Sequence, residues 1–378
     1  APTCTETGLT AGVKCSVCGE TLKAQDVIPT IAHTPGEPVI ENVVSRTSFD
    51  RVVYCSVCGE ELSRENMKMS KVQGITLKLE ADISIVFSTK TSLTADYYDS
   101  VFVVITQYLE NGETKEQTIE GVLSADGTKY EYVYQGVNAK ELGDALTIQA
   151  YGRRGDEVFV GAATEYAGIM SYVKESLAKT PKQLGLSDAK AAVFKTLLVD
   201  LTNYAAAAQQ NFNYKTDSYV NEQLTDEEKA LASPDSVLDD IENLQTTKFE
   251  VIDNPTAKFT GITAQLKSRT TIRLKFTYTG NIEDVKVVAT VGTGTPFEIT
   301  EFESAGTNAY YVYFDEVRAS QMEQPIYFKV LEGDTVISNT LRYSIGTYAK
   351  TSLSSNIGYV VGAMMKYGKS AVEFNSTN

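Results

Sequence analysis

The hexapeptide Cys-Ser-Val-Cys-Gly-Glu occurs twice, at Cys15–Glu20 and again forty residues later at Cys55–Glu60. A duplicated Cys-x-x-Cys knuckle in so short a stretch limits how that stretch can fold. It holds too few apolar residues for a self-sufficient core, so it needs a metal or disulfide brace. The first copy carries more donors than the knuckle alone. Cys4, Cys15, Cys18 and His33 form a Cys-x10-Cys-x2-Cys-x14-His set, which suits a closed tetrahedral Zn2+ site of structural type. Two other arrangements use the same residues. One is a four-cysteine site of Cys15, Cys18, Cys55 and Cys58, and the other is disulfides. In the second copy the positions answering to Cys4 and His33 are Val44 and Gln73, so Cys55 and Cys58 stand there without those two donors.

His33 is the sole histidine of the 378 residues. Committed to a metal, it leaves none for a Ser-His-Asp or Cys-His nucleophile system. Paired carboxylates need no histidine, but no acidic pair is singled out by its spacing. The expectation is therefore a chain that is not an enzyme, with no catalytic residue and no organic cofactor. Thirty-four Lys and Arg against 49 Asp and Glu give a net charge of −15, which argues against nucleic acid and against an anionic membrane surface. No apolar run is long enough to insert in a bilayer. The chain starts at Ala1 and shows no secretory leader, which reads as a mature product or a piece of a longer repeat-bearing chain.

The patterning predicts four regions: knuckle repeats at 1–40 and 41–73, then modules at 74–246 and 247–378. Leu77, Leu79, Ala81, Ile83, Ile85 and Phe87 alternate with mostly polar residues as one half-buried strand. Val101–Ile105 reads as a buried strand, and Glu110-Asn111-Gly112-Glu113 as a hairpin turn. Further strands are predicted near 129–135, 145–151 and 157–162. Helices follow over 165–178 and 187–212. In the longer one Phe194, Leu197, Leu198, Leu201, Tyr204, Ala205, Ala208 and Phe212 make one apolar face. Thr225-Asp226-Glu227-Glu228 is a capping box, and Ser233-Pro234 opens another turn of helix. Strands resume over 258–343, and helices over 343–352 and 355–373 close the chain.

The second half echoes the first. Lys129-Tyr130-Glu131-Tyr132-Val133-Tyr134 answers to Ala309-Tyr310-Tyr311-Val312-Tyr313-Phe314, and Ser171–Leu177 answers to Thr347–Leu353. The predicted fold class is thus mixed and multi-domain: zinc-ribbon-like repeats followed by two duplicated α+β modules, each an antiparallel Ig-like β-sandwich with a helical pair. Arg154-Gly155-Asp156 is an integrin-type tripeptide at a hairpin tip. Its counterpart Glu332-Gly333-Asp334 marks Gly-Asp as the shared turn pair. Gly292-Thr293-Gly294 lacks the third glycine and the following helix of a dinucleotide loop, so it reads as a turn. Tyr130, Tyr132 and Tyr134 share one strand face and are expected to pack against the helices.

The strings Thr3-Cys4-Thr5-Glu6, Gly8-Leu9-Thr10, Cys15–Glu20, Ile28-Pro29, His33–Glu37 and Val53–Gly59 resemble the cysteine-knuckle repeats of large surface or secreted proteins of gut Clostridia. The likeness covers about seventy residues, and the stretch Lys195–Gln209 is similar in style to modules beside such repeats. In those repeats the Cys, Cys-x-x-Cys and His positions recur together, which implies a complete first site; the second copy departs from the pattern at Val44 and Gln73. The resemblance implies a secreted or cell-surface address and a binding or scaffold role toward a protein or glycan. Two other roles fit that setting: part of a glycan-degrading enzyme, and capture of a host protein such as mucin or immunoglobulin.

Overall fold

The computed structural model describes residues 1–44, 48–68, 72–79, 83–90, 98–241, 247–266 and 270–377. Antiparallel sheets dominate, with a few helices and a cysteine cluster near the N-terminus. The knuckle repeats are built from short ribbons. Gly8–Leu9 pairs with Val27–Ile28, Val13–Lys14 pairs with Thr21–Lys23, and Val39–Val44, Ser48–Tyr54 and Glu61–Lys68 form a three-stranded sheet. Each knuckle is the turn of one hairpin. Few side chains are buried here: Cys4, Phe49, Val52 and Cys55 are the hydrophobic ones among the described residues up to 68.

Two four-stranded sheets follow. One runs in the order Thr114–Glu120, Ser100–Tyr108, Leu146–Arg154, Glu157–Tyr166. The other runs Val122–Leu123, Lys129–Val137, Ile83–Lys90, Gly74–Leu79. The alternating run that begins at Ile75 is not one strand. Gly74–Leu79 and Ile83–Lys90 pair antiparallel with Leu79 opposite Ile83, so the chain reverses within it. Alternation marks which residues face inward but carries no mark of direction, and thirteen residues exceed an ordinary strand. Ala81 of that run, and residue 246 at the expected module boundary, lie outside the described residues.

The Asn111-Gly112 turn joins Ser100–Tyr108 to Thr114–Glu120 with positive φ at both residues, 61° and 78°. Tyr132 and Tyr134 point inward and are fully buried, while Tyr130 is half-buried against the same core. The tyrosine row is therefore packing, not an open surface. Its hydroxyls are satisfied internally: Tyr132 bonds Thr89 at 3.0 Å, and Tyr134 donates to Gln107 Oε1 at 2.6 Å. Gln107 in turn donates to Asp144, which also accepts from Tyr214 and Lys215. This buried network binds the sheet to the segment after the long helix, and each member has partners.

The helices are α1 (Ile169–Ala178), α2 (Pro181–Leu184), α3 (Asp188–Phe212), α4 (Asp226–Lys229), α5 (Ile345–Ser352) and α6 (Gly358–Ser376). Helix α3 starts where Ser187 accepts the Lys190 N–H and stops at Asn213 with φ 51°. Thr225 and Glu228 form a reciprocal capping box on α4, and Pro234 precedes a single 3-10 turn. Helix α3 is buried on more than its expected face. Val199, Asp200 and Ala206 are covered too, since the 3-10 turns Ala139–Glu141 and Val220–Gln223 pack against α3 as well as α6. Tyr204 stacks on Tyr367 with centroids 6.0 Å apart, and Phe194 meets Phe374 at 5.4 Å. Phe212, expected on the apolar face, is instead 40% exposed, with the Lys140 ammonium 5.7 Å over its ring.

A further pair of sheets completes the body. One runs Lys258–Leu266, Thr270–Thr277, Ala309–Phe314, Glu303–Ser304. The other runs Thr247–Glu250, Thr340–Tyr343, Ile326–Glu332, Val285–Val291, Phe297–Ile299, with Thr335–Val336 beside Ile326–Glu332. The buried side chains of all four sheets, with those of α1, α3, α5 and α6, form one continuous cluster. Gly155 and Gly333, at φ 54° and 58°, sit at matching hairpin tips. The Gly155 N–H donates to Asp99 at 2.7 Å, so the Arg154-Gly155-Asp156 turn has a structural reason. Gly292 also has positive φ, and the Gly294 N–H closes a tight turn onto Val291 O. Among the described residues no helix is long and apolar enough to cross a membrane.

Candidate metal centre

Both knuckles fold identically. In each, the first cysteine N–H donates to the glutamate carbonyl five residues on, Cys15 to Glu20 and Cys55 to Glu60, both at 2.8 Å. The glycine N–H returns to the first cysteine carbonyl, at 3.0 Å from Gly19 and 2.9 Å from Gly59. Those glycines sit at φ 79° and 76°, in the left-handed region where a side chain is strained. The hexapeptide thus encodes a turn that offers two sulfurs on one side.

The two knuckles differ in what comes to them. Thr34–Gly36 lies beside Tyr54–Ser56: Gly36 N–H donates to Tyr54 O, Ser56 N–H donates to Thr34 O, both at 2.8 Å, and Pro35 bridges to Cys55. This pairing carries His33 to the second knuckle. Ile31 N–H donates to Thr3 O at 3.1 Å, and the Thr3 hydroxyl accepts the Glu6 N–H, which sets Cys4 beside the same place. Cys4, His33, Cys55 and Cys58 each offer one donor atom, all within 4.8 Å of one another.

This corrects the sequence expectation. Cys4 and His33 do meet, but their partners are Cys55 and Cys58, and Cys15 and Cys18 lie outside the group. Nor does the structure assemble the four-cysteine alternative of Cys15, Cys18, Cys55 and Cys58. All five cysteines are free thiols, with no disulfide among them. Spacing along the chain favoured the nearest knuckle; strand pairing delivers the donors one repeat further on. A signal existed in the sequence. Val44 and Gln73 removed two donors from the second copy, which a partner from the first copy would restore.

The set fits a metal geometrically. Cys4 Sγ lies 3.8 Å from Cys55 Sγ, and Cys58 Sγ lies 3.4 Å from His33 Nδ1. A tetrahedron with zinc bonds of about 2.3 Å to sulfur and about 2.05 Å to nitrogen has edges of about 3.8 and about 3.5 Å. His33 Nε2 faces Glu60 Oε2 at 3.3 Å, the outer carboxylate that orients a ligating imidazole. Cys4 and Cys55 are buried, His33 is half-buried and Cys58 is exposed.

The thiols are electrostatically opposed without a cation. Cys55 is held down to about 5, chiefly by the Cys58 N–H donating to its sulfur. Cys4 is pushed up to about 11, first by its hydrogen bond with Cys58 and then by burial. A divalent ion would let all three sulfurs ionise together. Cys15 is lowered by the N–H of Cys18, the same knuckle effect seen at Cys55. The arrangement can hold one borderline or soft cation with four protein donors and no open coordination position.

No protein-family model matches the chain, and no curated protein matches it.

Proposed function

We propose that the chain is a non-enzymatic extracellular binding or scaffold protein whose N-terminal repeats are stapled by structural zinc. The carrying observation is the closed Cys4, His33, Cys55 and Cys58 set, drawn from two repeats at once. Four protein donors suit a brace better than a reaction centre. The metal would join repeats 1–40 and 41–73 into one stalk segment of a longer repeat-bearing chain, secreted or at the cell surface. The body would be two related sandwich-plus-helices modules, 74–246 and 247–378, acting as spacer or adhesive head. The strand orders support that duplication. Ser100–Tyr108 and Leu146–Arg154 are neighbours in one sheet, as are Val285–Val291 and Ile326–Glu332 in another. Lys129–Val137 and Ile83–Lys90 are neighbours as well, as are Ala309–Phe314 and Thr270–Thr277. α3 and α6, the long helices of the two modules, pack against each other.

A glycan-cleaving role would need two free facing carboxylates. Asp200 and Asp235 do share a cleft of about 420 Å³. Each is engaged, Asp200 by the N–H and hydroxyl of Ser233 and Asp235 by Lys366 at 2.5 Å. That engagement favours binding over turnover. The full chain, purified anaerobically, is expected to carry one zinc. On immobilised mucin, immunoglobulin and a glycan array it is expected to bind saturably without releasing sugar or peptide. Product release from any of these probes overturns the reading, as does a metal-free chain.

A further inference from the structure

We infer that the first knuckle is an acceptor half-site: Cys15 and Cys18 bind a metal completed by a cysteine and a histidine from another unit of the same repeat. The inference rests on the metal reading of the second knuckle and extends it to a linkage rule. Each unit would give its Cys-x-x-Cys backward and its Cys and His forward, so that every ion sits between two units.

Four observations carry it. The first is that this chain has no thiol or imidazole left to complete the first knuckle. Its sole histidine and its fifth cysteine, Cys4, are gathered at the second knuckle, and among the described residues no carboxylate makes a third donor with Cys15 and Cys18. The second is that the half-site is already shaped. Its turn matches the complete site in both hydrogen bonds and in the glycine φ. The third is that its outer shell is present. Glu60 meets the far nitrogen of His33, and Glu20 holds the equivalent place in the first copy. The fourth is that donors and acceptor disappear together. Forty residues past Cys4 and His33 stand Val44 and Gln73, and forty past Cys55 and Cys58 stand Ala95 and Tyr98. A second unit with no knuckle after it needs no forward donors, and it has none.

The surface agrees. Leu22 is 66% exposed, whereas Leu62, its counterpart after the second knuckle, is half-buried. Val13, on the strand paired with that of Leu22, is 49% exposed as well. An apolar edge around a shaped thiol pair is what a docking unit would cover. The occupant is a repeat unit with Cys and His spaced as Cys4 and His33 are, and thiolate donors select zinc over oxygen-preferring cations.

The test extends the whole chain by one added copy of residues 1–40 ahead of Ala1, with serine at the added copy's own two knuckle cysteines. Zinc is counted by mass spectrometry, and alkylation by iodoacetamide is mapped under reducing conditions. The parent chain is expected to hold one zinc, with Cys15 and Cys18 alkylated and Cys55 and Cys58 protected. The extended chain is expected to hold two, with Cys15 and Cys18 now protected. Cys15→Ser with Cys18→Ser in the extended chain should return the count to one. An extended chain that keeps one zinc and leaves Cys15 and Cys18 reactive overturns the inference while the second-knuckle site stands. A parent chain whose Cys55 and Cys58 are alkylated despite zinc overturns the underlying site instead.

Discussion

The N-terminal repeats and the body are held by different physics. Among the described residues up to 68, the repeats bury two large apolar side chains, Phe49 and Val52, and two thiols, Cys4 and Cys55. The body buries a continuous cluster that spans four sheets and the faces of α1, α3, α5 and α6, and of the repeats only Phe49 and Val72 are buried in it among the described residues. The first region is organised by hydrogen-bonded ribbons around four donor atoms, the second by area removed from water. The lesson is that one chain carries both solutions side by side. Where apolar residues are few, side-chain chemistry substitutes for a core.

The sharpest way to break that contrast is to deny the repeats the metal proposed for them. Chelation, or Cys55→Ser with Cys58→Ser, should unfold the repeats and leave the body's melting transition in place. Structural zinc contributes about 10–16 kcal/mol of apparent binding energy in small domains. Hydrogen exchange read region by region would show it, and loss of protection in the sheets of the body as well would dissolve the distinction. Within the body, Leu198→Ala removes a side chain with 0% exposure between α3 and its neighbours. A cost of about 2–5 kcal/mol is expected in denaturant unfolding, with zinc content unchanged.

A smaller effect probes the polar interior. Asp200, 1% exposed, is the anchor for the Ser233 turn. Asp200→Ala should cost about 1–3 kcal/mol by stranding those donors. Burial raises the Asp200 carboxyl above its ordinary 3.8, more than the Ser233 hydrogen bonds lower it. The native state therefore binds its proton more tightly than the unfolded chain. Its contribution is full below 3.8 and declines as pH rises through the native value. A contribution from Asp200 that grows with pH there would contradict the burial argument.

Glu60→Gln, which removes charge behind His33 and keeps its shape, should weaken zinc about 10–100-fold without abolishing the fold of the repeats. Competition with a chelator measures it, and an unchanged affinity would remove Glu60 from the site. The smallest change is expected at Arg64, which gathers Glu41, Asp50 and Glu61 on the exposed face of the three-stranded sheet. It lowers Glu61 first of all causes, while Tyr54 leads at Glu41 and Asn66 at Asp50. In Arg64→Met, Glu61 should titrate closer to its ordinary 4.5. Such depressed carboxylates stabilise fully above their ordinary values and lose that as pH falls through the native ones. Carboxyl titration by NMR would follow the shift, and a Glu61 value unmoved by the substitution would refute the assignment.

Much of the local structure was legible. The Thr225 capping box, the Asn111-Gly112 turn and the inward Tyr132 and Tyr134 all follow from short-range chemistry. The reversal between Gly74–Leu79 and Ile83–Lys90 was not, since two strands and one strand share the same alternation. Asp200 reads as a solvated helix charge until α6 closes over it. The candidate site was half legible, with Cys4 and His33 named as donors but assigned to the wrong knuckle.

By itself the sequence determined the donor types, the two identical turns and the positions of the long helix, because each depends on residues within a few places of one another. Tertiary structure alone decided which knuckle receives Cys4 and His33 and which element packs along α3. Those outcomes turn on backbone pairing between Thr34–Gly36 and Tyr54–Ser56 and on the packing of α3 against α6. Backbone amides pair wherever the fold places them, and no residue type announces its partner across that distance.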